Sequence, residues 1–191
     1  MSRKEQAEAS RAALVEAARE CFTDQGYEDT TVAGILERAG MARGALYHYF
    51  PGGKQEIFTA VFEMINGSYH QRRDAAGALP SPLGRLRAGI RVFLEMCVDD
   101  DFARITLRDA PGLVPGQGWR GSSYVLMRTQ LVEAMTAGEV APLDPDAMAM
   151  ALYGAVRSGG EYVIESTDRP AAVDRAAQAI DQLLDGLRAP A

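Results

Sequence analysis

The sequence predicts an all-α protein of about nine helices, with an N-terminal unit over residues 1–66 and a larger helical unit over residues 67–191. Three observations carry this. Apolar residues recur at three- and four-residue steps along most of the chain. No stretch alternates β-branched and polar residues as a half-buried strand does. Caps and breakers separate the periodic stretches, among them Gly26, Gly40, Ser81-Pro82 and Asp144-Pro145. The 191 residues, 47% apolar and 24% charged, fall in the globular range and suffice to bury a core without disulfides.

From Glu5 to Thr23, Leu14, Ala18, Cys21 and Phe22 fall on one helical stripe, and Gly26 supplies the stop. Thr30 or Thr31 caps a second, shorter helix in which Val32, Ile35, Leu36 and Ala39 repeat inward. Gly40 turns the chain, Met41 pins the turn, and a third helix covers residues 42–49. A fourth, from Lys54 to Arg73, buries Ile57, Phe58, Val61, Phe62 and Ile65, and the domain boundary falls within it near Ile65–Tyr69. Asp74 to Gly84 reads as a connection. Ser81-Pro82 then opens a fifth helix carrying Leu83, Leu86, Ile90, Phe93, Leu94 and Cys97 inward. The acidic triplet Asp99–Asp101 breaks it, a short helix follows at Phe102–Asp109, and Ala110–Trp119 reads as a Pro/Gly loop. Helices at Ser122–Ala137, Asp146–Ser166 and Ala171–Arg188 complete the chain.

The net charge of −6 argues against a general polyanion binder, but the charge is unevenly spread. Residues 1–37 hold four basic and eight acidic side chains, and residues from 56 onward hold 13 basic and 18 acidic. Between them, residues 38–55 contain Arg38, Arg43, His48 and Lys54 and no acid at all. This window is a candidate phosphate-facing surface.

It coincides with a helix, a glycine turn and a second helix spanning Thr31 to Phe50, the plan of a helix-turn-helix DNA reader. Val32, Ile35, Ala39, Met41, Leu46 and Phe50 lock the two helices, which turns the other side of the third helix outward. There i, i+4 geometry pairs Arg43 with Tyr47 and Gly44 with His48. A guanidinium suits guanine edges or phosphate, a phenol suits phosphate oxygens, an imidazole suits either, and Gly44 lets the helix backbone approach the DNA closely. Lys54, at the start of the fourth helix, is expected to hold a phosphate together with that helix's free N–H groups.

With Phe22, Gly26 and Tyr27 before it and Lys54, Ile57 and Phe58 after it, this segment resembles the DNA-binding domain of the TetR family of bacterial transcriptional regulators. The pattern Phe, Gly-Tyr, Thr-Thr-Val, Ile, Ala-Gly-Met, Leu-Tyr-His-Tyr-Phe and Lys is present in order over roughly residues 10–65. The resemblance implies a cytoplasmic homodimer on a palindromic double-stranded operator, with contacts from Arg43, Gly44, Ala45, Tyr47, His48, Tyr49 and Lys54. Thr31 and Ala42, at the two helix starts, complete that set. Family members usually carry Ser or Thr at position 42, so this chain's reading helix lacks a cap worth about 1 kcal/mol. The segment Arg108–Arg120 looks like a C-terminal subgroup of the same family.

In the larger unit, Met96, Trp119, Tyr124, Met127, Tyr153 and Tyr162 are candidates to line a cavity for a lipophilic small-molecule effector. Arg108, Arg157 and Glu161 are the polar candidates for orienting it. The net charge beyond residue 55 favours neutral or cationic ligands. Met148, Leu152, Ala155, Val156 and Gly159, with Val173, Ala177, Ile180, Leu183, Leu184 and Leu187, form two stripes that suit a four-helix bundle between two subunits.

The leading reading is a ligand-responsive repressor, and release of its operator by a ligand then requires tighter binding to the conformer that does not fit DNA. The same pattern serves a constitutive DNA binder or an activator. A helical enzyme or protein-binding module is the reading from a different class. Against an enzyme, the chain has two histidines and no nucleophile elbow, phosphate loop, dinucleotide fingerprint or metal-spaced cluster, so neither cofactor nor metal is expected. No apolar run reaches the length of a membrane span or a signal peptide, and the membrane is not an expected partner.

Overall fold

The computed structural model describes residues 2–77, 79–115 and 121–188. Among these residues the fold is all-α. The helices are α1 (Arg3–Asp29), α2 (Val32–Arg38), α3 (Gly44–Tyr49), α4 (Lys54–Ala76) and α5 (Pro82–Met96). A π-helical segment (Phe102–Asp109) then leads into α6 (Ala110–Leu113), α7 (Ser122–Thr136), α8 (Pro145–Glu165) and α9 (Arg169–Asp185). The only extended pairing among the described residues is a single bridge between Val140 and Arg188.

α1 starts two residues earlier than periodicity suggests because Ser2 and Glu5 form a capping box, the Ser2 hydroxyl accepting the Glu5 N–H and the Glu5 carboxylate accepting the Ser2 N–H. It continues beyond Thr23, but Gly26 interrupts it at φ 80°, ψ 173°, a conformation that side-chain-bearing residues hardly reach. The Thr30 hydroxyl, buried, sits 2.7 Å from the Gly26 carbonyl and 3.1 Å from that of Cys21, satisfying the helix end from inside. Thr31 caps α2 through the Gly34 N–H, and Gly40, at φ 64°, makes the turn.

The regular part of α3 begins at Gly44 rather than residue 42. Arg43 already has helical dihedrals, the Ala42 carbonyl accepts the Ala45 N–H, and no side chain caps the turn. Ile35, Leu46 and Phe50 are buried together with Phe22, Ile57 and Phe58, and Val32, Ala39 and Met41 pack at the edge. The Phe22 and Phe58 rings meet edge-to-face at 5.1 Å.

α4 runs without interruption from this core into the larger unit and extends three residues beyond Arg73. Ala76 is thus still helical where a connection is expected, and Gly77 closes the helix through its N–H to the Arg73 carbonyl. α5 packs against α4, α7, α8 and α9 and is tied to α9 by Arg87 with Asp181 and Asp185 and by Arg91 with Asp174. Phe102–Asp109 is helical as expected, but with π pitch, and burial of Phe102, Ile105 and Leu107 anchors it. The stretch expected as a loop from Ala110 instead opens with one helical turn, with Pro111 in its first turn where no N–H is needed. Its later residues 116–119 lie outside the described chain.

The stripes expected between two subunits are largely spent within one. Leu152, Val156, Val173, Ala177, Ile180 and Leu184 are buried in the isolated chain, while Met148, Ala155, Gly159 and Leu187 are partly buried. α8 and α9 pack on each other and on α5. A Cβ on Gly159 would press on Ile180 and Leu94, so the small residue serves contacts inside the chain. A helix stripe has the same periodicity whichever surface covers it, and here α5 and α7 supply that surface. Of the stripe residues, Leu183 alone is strongly exposed, at 59%.

Gly26 gives the sharpest test of this packing. A Cβ there would collide with the Arg104 guanidinium as well as strain the backbone. Gly26→Ala is expected to lower unfolding stability by about 1–3 kcal/mol in urea titration of the full chain; an unchanged midpoint would contradict the account.

Candidate functional site

α3 is amphipathic across its short length. Leu46 and, just beyond, Phe50 are buried, Ala45 and Tyr49 are half-buried, and Arg43, Gly44, Tyr47 and His48 face solvent together. Tyr47 is 53% exposed, and His48 stands edge-on to the Tyr49 ring at 4.8 Å. Among the described residues Arg43 has no ion pair. A Cβ on Gly44 would meet nothing within 4 Å, so packing within the protein does not require glycine at this position. Thr31 and Ala42 are exposed at the starts of α2 and the turn into α3.

The other cations of the acid-free window are engaged elsewhere. Arg38 pairs with Asp24 at 2.9 Å and Glu20 at 3.5 Å on α1. The Lys54 ammonium donates to the carbonyls of Tyr27 (2.8 Å) and Glu28 (3.2 Å) and lies 4.3 Å from the Tyr27 ring centroid. Instead of extending toward a phosphate, Lys54 in this conformation caps the carbonyl end of α1 and fixes α4 against it. Sequence spacing puts a cation at a helix N-terminus but does not show that another helix ends beside it.

The same end of α1 is held from a third side. Asp109, which closes the π-helical segment, accepts the Tyr27 N–H at 3.0 Å. Arg104 donates to the Gln25 carbonyl and faces Asp109, and Arg19 pairs with Asp101 at 2.9 Å. Asp100 is likewise taken by Arg169 at 2.6 Å. Two of the three acids of the triplet, Asp100 and Asp101, therefore tie helices together.

The opposite side of the π-helical segment borders a cavity of about 80 Å³. That is room for roughly six waters. α4 contributes Tyr69 and Arg73, α5 contributes Ile90 and Phe93, the π-helical segment Thr106 and Leu107, α7 Met127 and Gln130, and α8 Tyr153 and Arg157. Of the sequence candidates, Met127, Tyr153 and Arg157 line it. Arg108 and Glu161 border a separate recess that Arg157 shares.

Three further candidates lie elsewhere. Met96 is buried away from the cavity. Tyr124 points its hydroxyl at the Asp146 carboxylate, 3.0 Å away. Tyr162 is exposed on the outer side of α8, where its hydroxyl accepts Arg175 Nε at 2.7 Å. Trp119 lies outside the described residues. Tyr69, Arg73, Phe93, Thr106 and Gln130 escape the sequence reading because they converge from helices far apart in the chain, and an inward helical position does not distinguish a cavity wall from solid core.

Burial and then the Arg73 charge push His70 down from its ordinary range, leaving it neutral at pH 7. Its Nε2 meets the Asn66 amide at 3.2 Å. Burial pushes the Cys97 thiol up to about 12, so it stays protonated and packs as an apolar group. Among the described residues no cluster of three metal-ligating side chains forms, and no helix is long and apolar enough to cross a membrane.

Comparison with known proteins agrees with this layout. The model of the tetR family of bacterial regulatory proteins matches residues 14–61, and that of the tetracyclin repressor-like C-terminal domain matches residues 83–187, more than half the chain. The chain belongs to the TetR family. It is thereby placed among DNA-binding transcriptional regulators and not among enzymes. A TetR-family regulator of Pectobacterium atrosepticum is similar over its whole fold, with a TM-score of 0.75, 30% identity and coverage of 100% of this chain and 99% of that one. The transcriptional regulator TtgR of Pseudomonas putida is 34% identical over 105 residues, 53% of this chain and 50% of its own. The transcriptional repressor AcnR of Corynebacterium efficiens is 44% identical over 52 residues, 27% of each chain. The chain thus matches about half or less of the length of these two curated relatives.

Proposed function

We propose that this TetR-family chain is a ligand-responsive repressor that binds a palindromic operator as a homodimer. The observation that carries the reading is the outward cluster of Arg43, Tyr47 and His48 along the start and face of α3, exposed to solvent and with no ion pair to an acid among the described residues. Arg43 reads base edges, Tyr47 and His48 hold phosphates, and Gly44 admits the DNA backbone. The name of the repressor AcnR, 44% identical over 52 residues, supports repression over activation.

The dimer reading moves from the inward stripes of α8 and α9 to their outward ones. Ala147, Ala151, Gly154 and Ser158 recur at three- and four-residue steps on the exposed side of α8, beside Met150 (50% exposed) and Tyr162. Leu183, with exposed Ala179 and Gln178, continues the surface on α9. Small residues at this spacing permit close helix approach, and a two-fold axis through them makes one patch its own partner.

Communication between cavity and DNA runs through the π-helical segment, because Thr106 and Leu107 line the cavity while Asp109 and Arg104 grip Gln25–Tyr27 at the end of α1. A ligand that shifts this segment moves the base on which α2 and α3 stand, provided it binds the shifted conformer more tightly.

Three experiments test the reading. Selection from a random duplex library with the full chain is expected to return a palindrome whose half-sites lie about 34 Å apart. Gly44→Ala should leave stability equal or higher by up to about 1 kcal/mol while weakening operator binding at least about tenfold. Operator binding undiminished by the added methyl, or binding no better than to bulk DNA, would contradict it. Leu183→Glu is expected to sediment as a monomer where the parent is a dimer; a parent monomer at micromolar concentration would end the dimer reading.

A further inference from the structure

We propose that the cavity takes a small molecule with an apolar body and a single carboxylate, which Arg73 and Arg157 receive as an ion pair and Thr106 fixes by a hydrogen bond. The inference deepens the effector reading above and rests on the cavity being a ligand site.

Thr106 is the first reason. Every threonine inside an α-helix of the described chain spends its hydroxyl on the carbonyl four residues back. Thr23 donates to Arg19, Thr59 to Gln55, Thr129 to Val125 and Thr136 to Val132, at 2.8–3.1 Å. Thr106 lies in the π-helical segment instead, where the main chain closes at five residues, as in the Ala110 N–H to the Ile105 carbonyl. The wider turn moves the carbonyl four residues back out of reach. The Thr106 hydroxyl is left buried with no hydrogen-bond partner while its residue lines the cavity. A buried hydroxyl without a partner costs about 1–3 kcal/mol, and a ligand oxygen removes that cost. π-helical turns recur at functional sites.

Charge is the second reason. Although the chain beyond residue 55 is net acidic, the described lining of the cavity holds two guanidinium groups and no carboxylate. Each guanidinium now leans on an acid at the surface: Arg73 on Asp74 at 2.7 Å, and Arg157 on Glu161 at 3.2 Å. Those acids are 68% and 50% exposed, so water competes for them and the pairs are weak. A carboxylate delivered into the cavity meets the same guanidinium groups with less water around it, where a charge-assisted bond is stronger. Arg157 also donates to the Leu107 carbonyl at 3.2 Å, which holds its head beside the π-helical segment. The remaining wall, with Ile90, Phe93, Met127 and Tyr153, suits an alkyl or aryl body. The whole-chain charge therefore points the wrong way for the ligand, because its acids sit on the outer surface and not on this wall.

The test uses the full chain and two matched series, octanoate, octan-1-ol and octylamine, and 3-phenylpropionate, 3-phenylpropan-1-ol and 3-phenylpropylamine. Binding is followed by calorimetry and thermal shift at millimolar concentration, and separately by release of the selected operator. In at least one series the carboxylate is expected to bind about tenfold tighter than the alcohol and the amine not at all. Arg73→Gln and Arg157→Gln should each bring acid and alcohol close to parity, and Thr106→Val should weaken the acid several-fold with the melting temperature of the free protein unchanged or raised. Equal or tighter binding of the alcohol or amine overturns the proposal, as does failure of both carboxylates to bind, or loss of acid binding in none of the three variants. Acid binding without operator release upholds the ligand chemistry and overturns the effector reading alone.

Discussion

The end of the first helix, at residues 26–30, is the constraint on which the rest of this molecule depends. Gly26 lets the chain leave the helical path at positive φ, and several peptide groups around it have side-chain partners from the helix end itself, the fourth helix and the π-helical segment. Thr30 reaches the carbonyls of Cys21 and Gly26 from within. Lys54 brings the fourth helix to the carbonyls of Tyr27 and Glu28. Asp109 brings the π-helical segment to the Tyr27 N–H. Because the second and third helices follow directly from this point, the position of α3 is set by groups belonging to three elements. Phe22, Phe58, Ile35 and Leu46 join these elements in one close-packed cluster.

Charge is distributed according to the same logic. A net-acidic chain can still present a surface to DNA if its cations near that surface are not cancelled, yet most of the arginines here are spent on ties: Arg38 to α1, Arg19 to Asp101, Arg87 and Arg91 to α9. Lys54 is spent on backbone carbonyls. Arg43 is left facing solvent, and Tyr47 and His48 stand beside it. A face with so few cations depends on fit to the groove more than on attraction to phosphate, and a loosely held, salt-sensitive association with any duplex is correspondingly disfavoured.

Much of this was legible in the sequence, and the limits have physical causes. The N-terminal unit could be read because short-range chemistry determines it: a glycine where φ must be positive, a threonine at a cap, and apolar residues at fixed helical steps around Arg43, Tyr47 and His48. The stripes of α8 and α9 were legible as buried faces, but periodicity states only that a face is covered. Leu152, Val156, Ile180 and Leu184 are covered by the same chain, and the exposed stripe through Ala151, Gly154 and Leu183 is the one available to a second copy. The cavity was the least legible feature. Met127, Tyr153 and Arg157 were recognised from residue type, but Tyr69, Arg73 and Thr106 take part because of helix placement. In Thr106 the relevant property is a main-chain pitch that no residue-level rule marks.

The most direct measurement is hydrogen–deuterium exchange on the full chain with and without the selected operator duplex. The account requires slower exchange over residues 42–50, where DNA covers α3, and a further change at Gln25–Thr30 and in the π-helical segment, carried through the Asp109 and Lys54 contacts. Exchange over α3 unaffected by the duplex, or a change that stops at α3 and leaves the end of the first helix as it was, would contradict it.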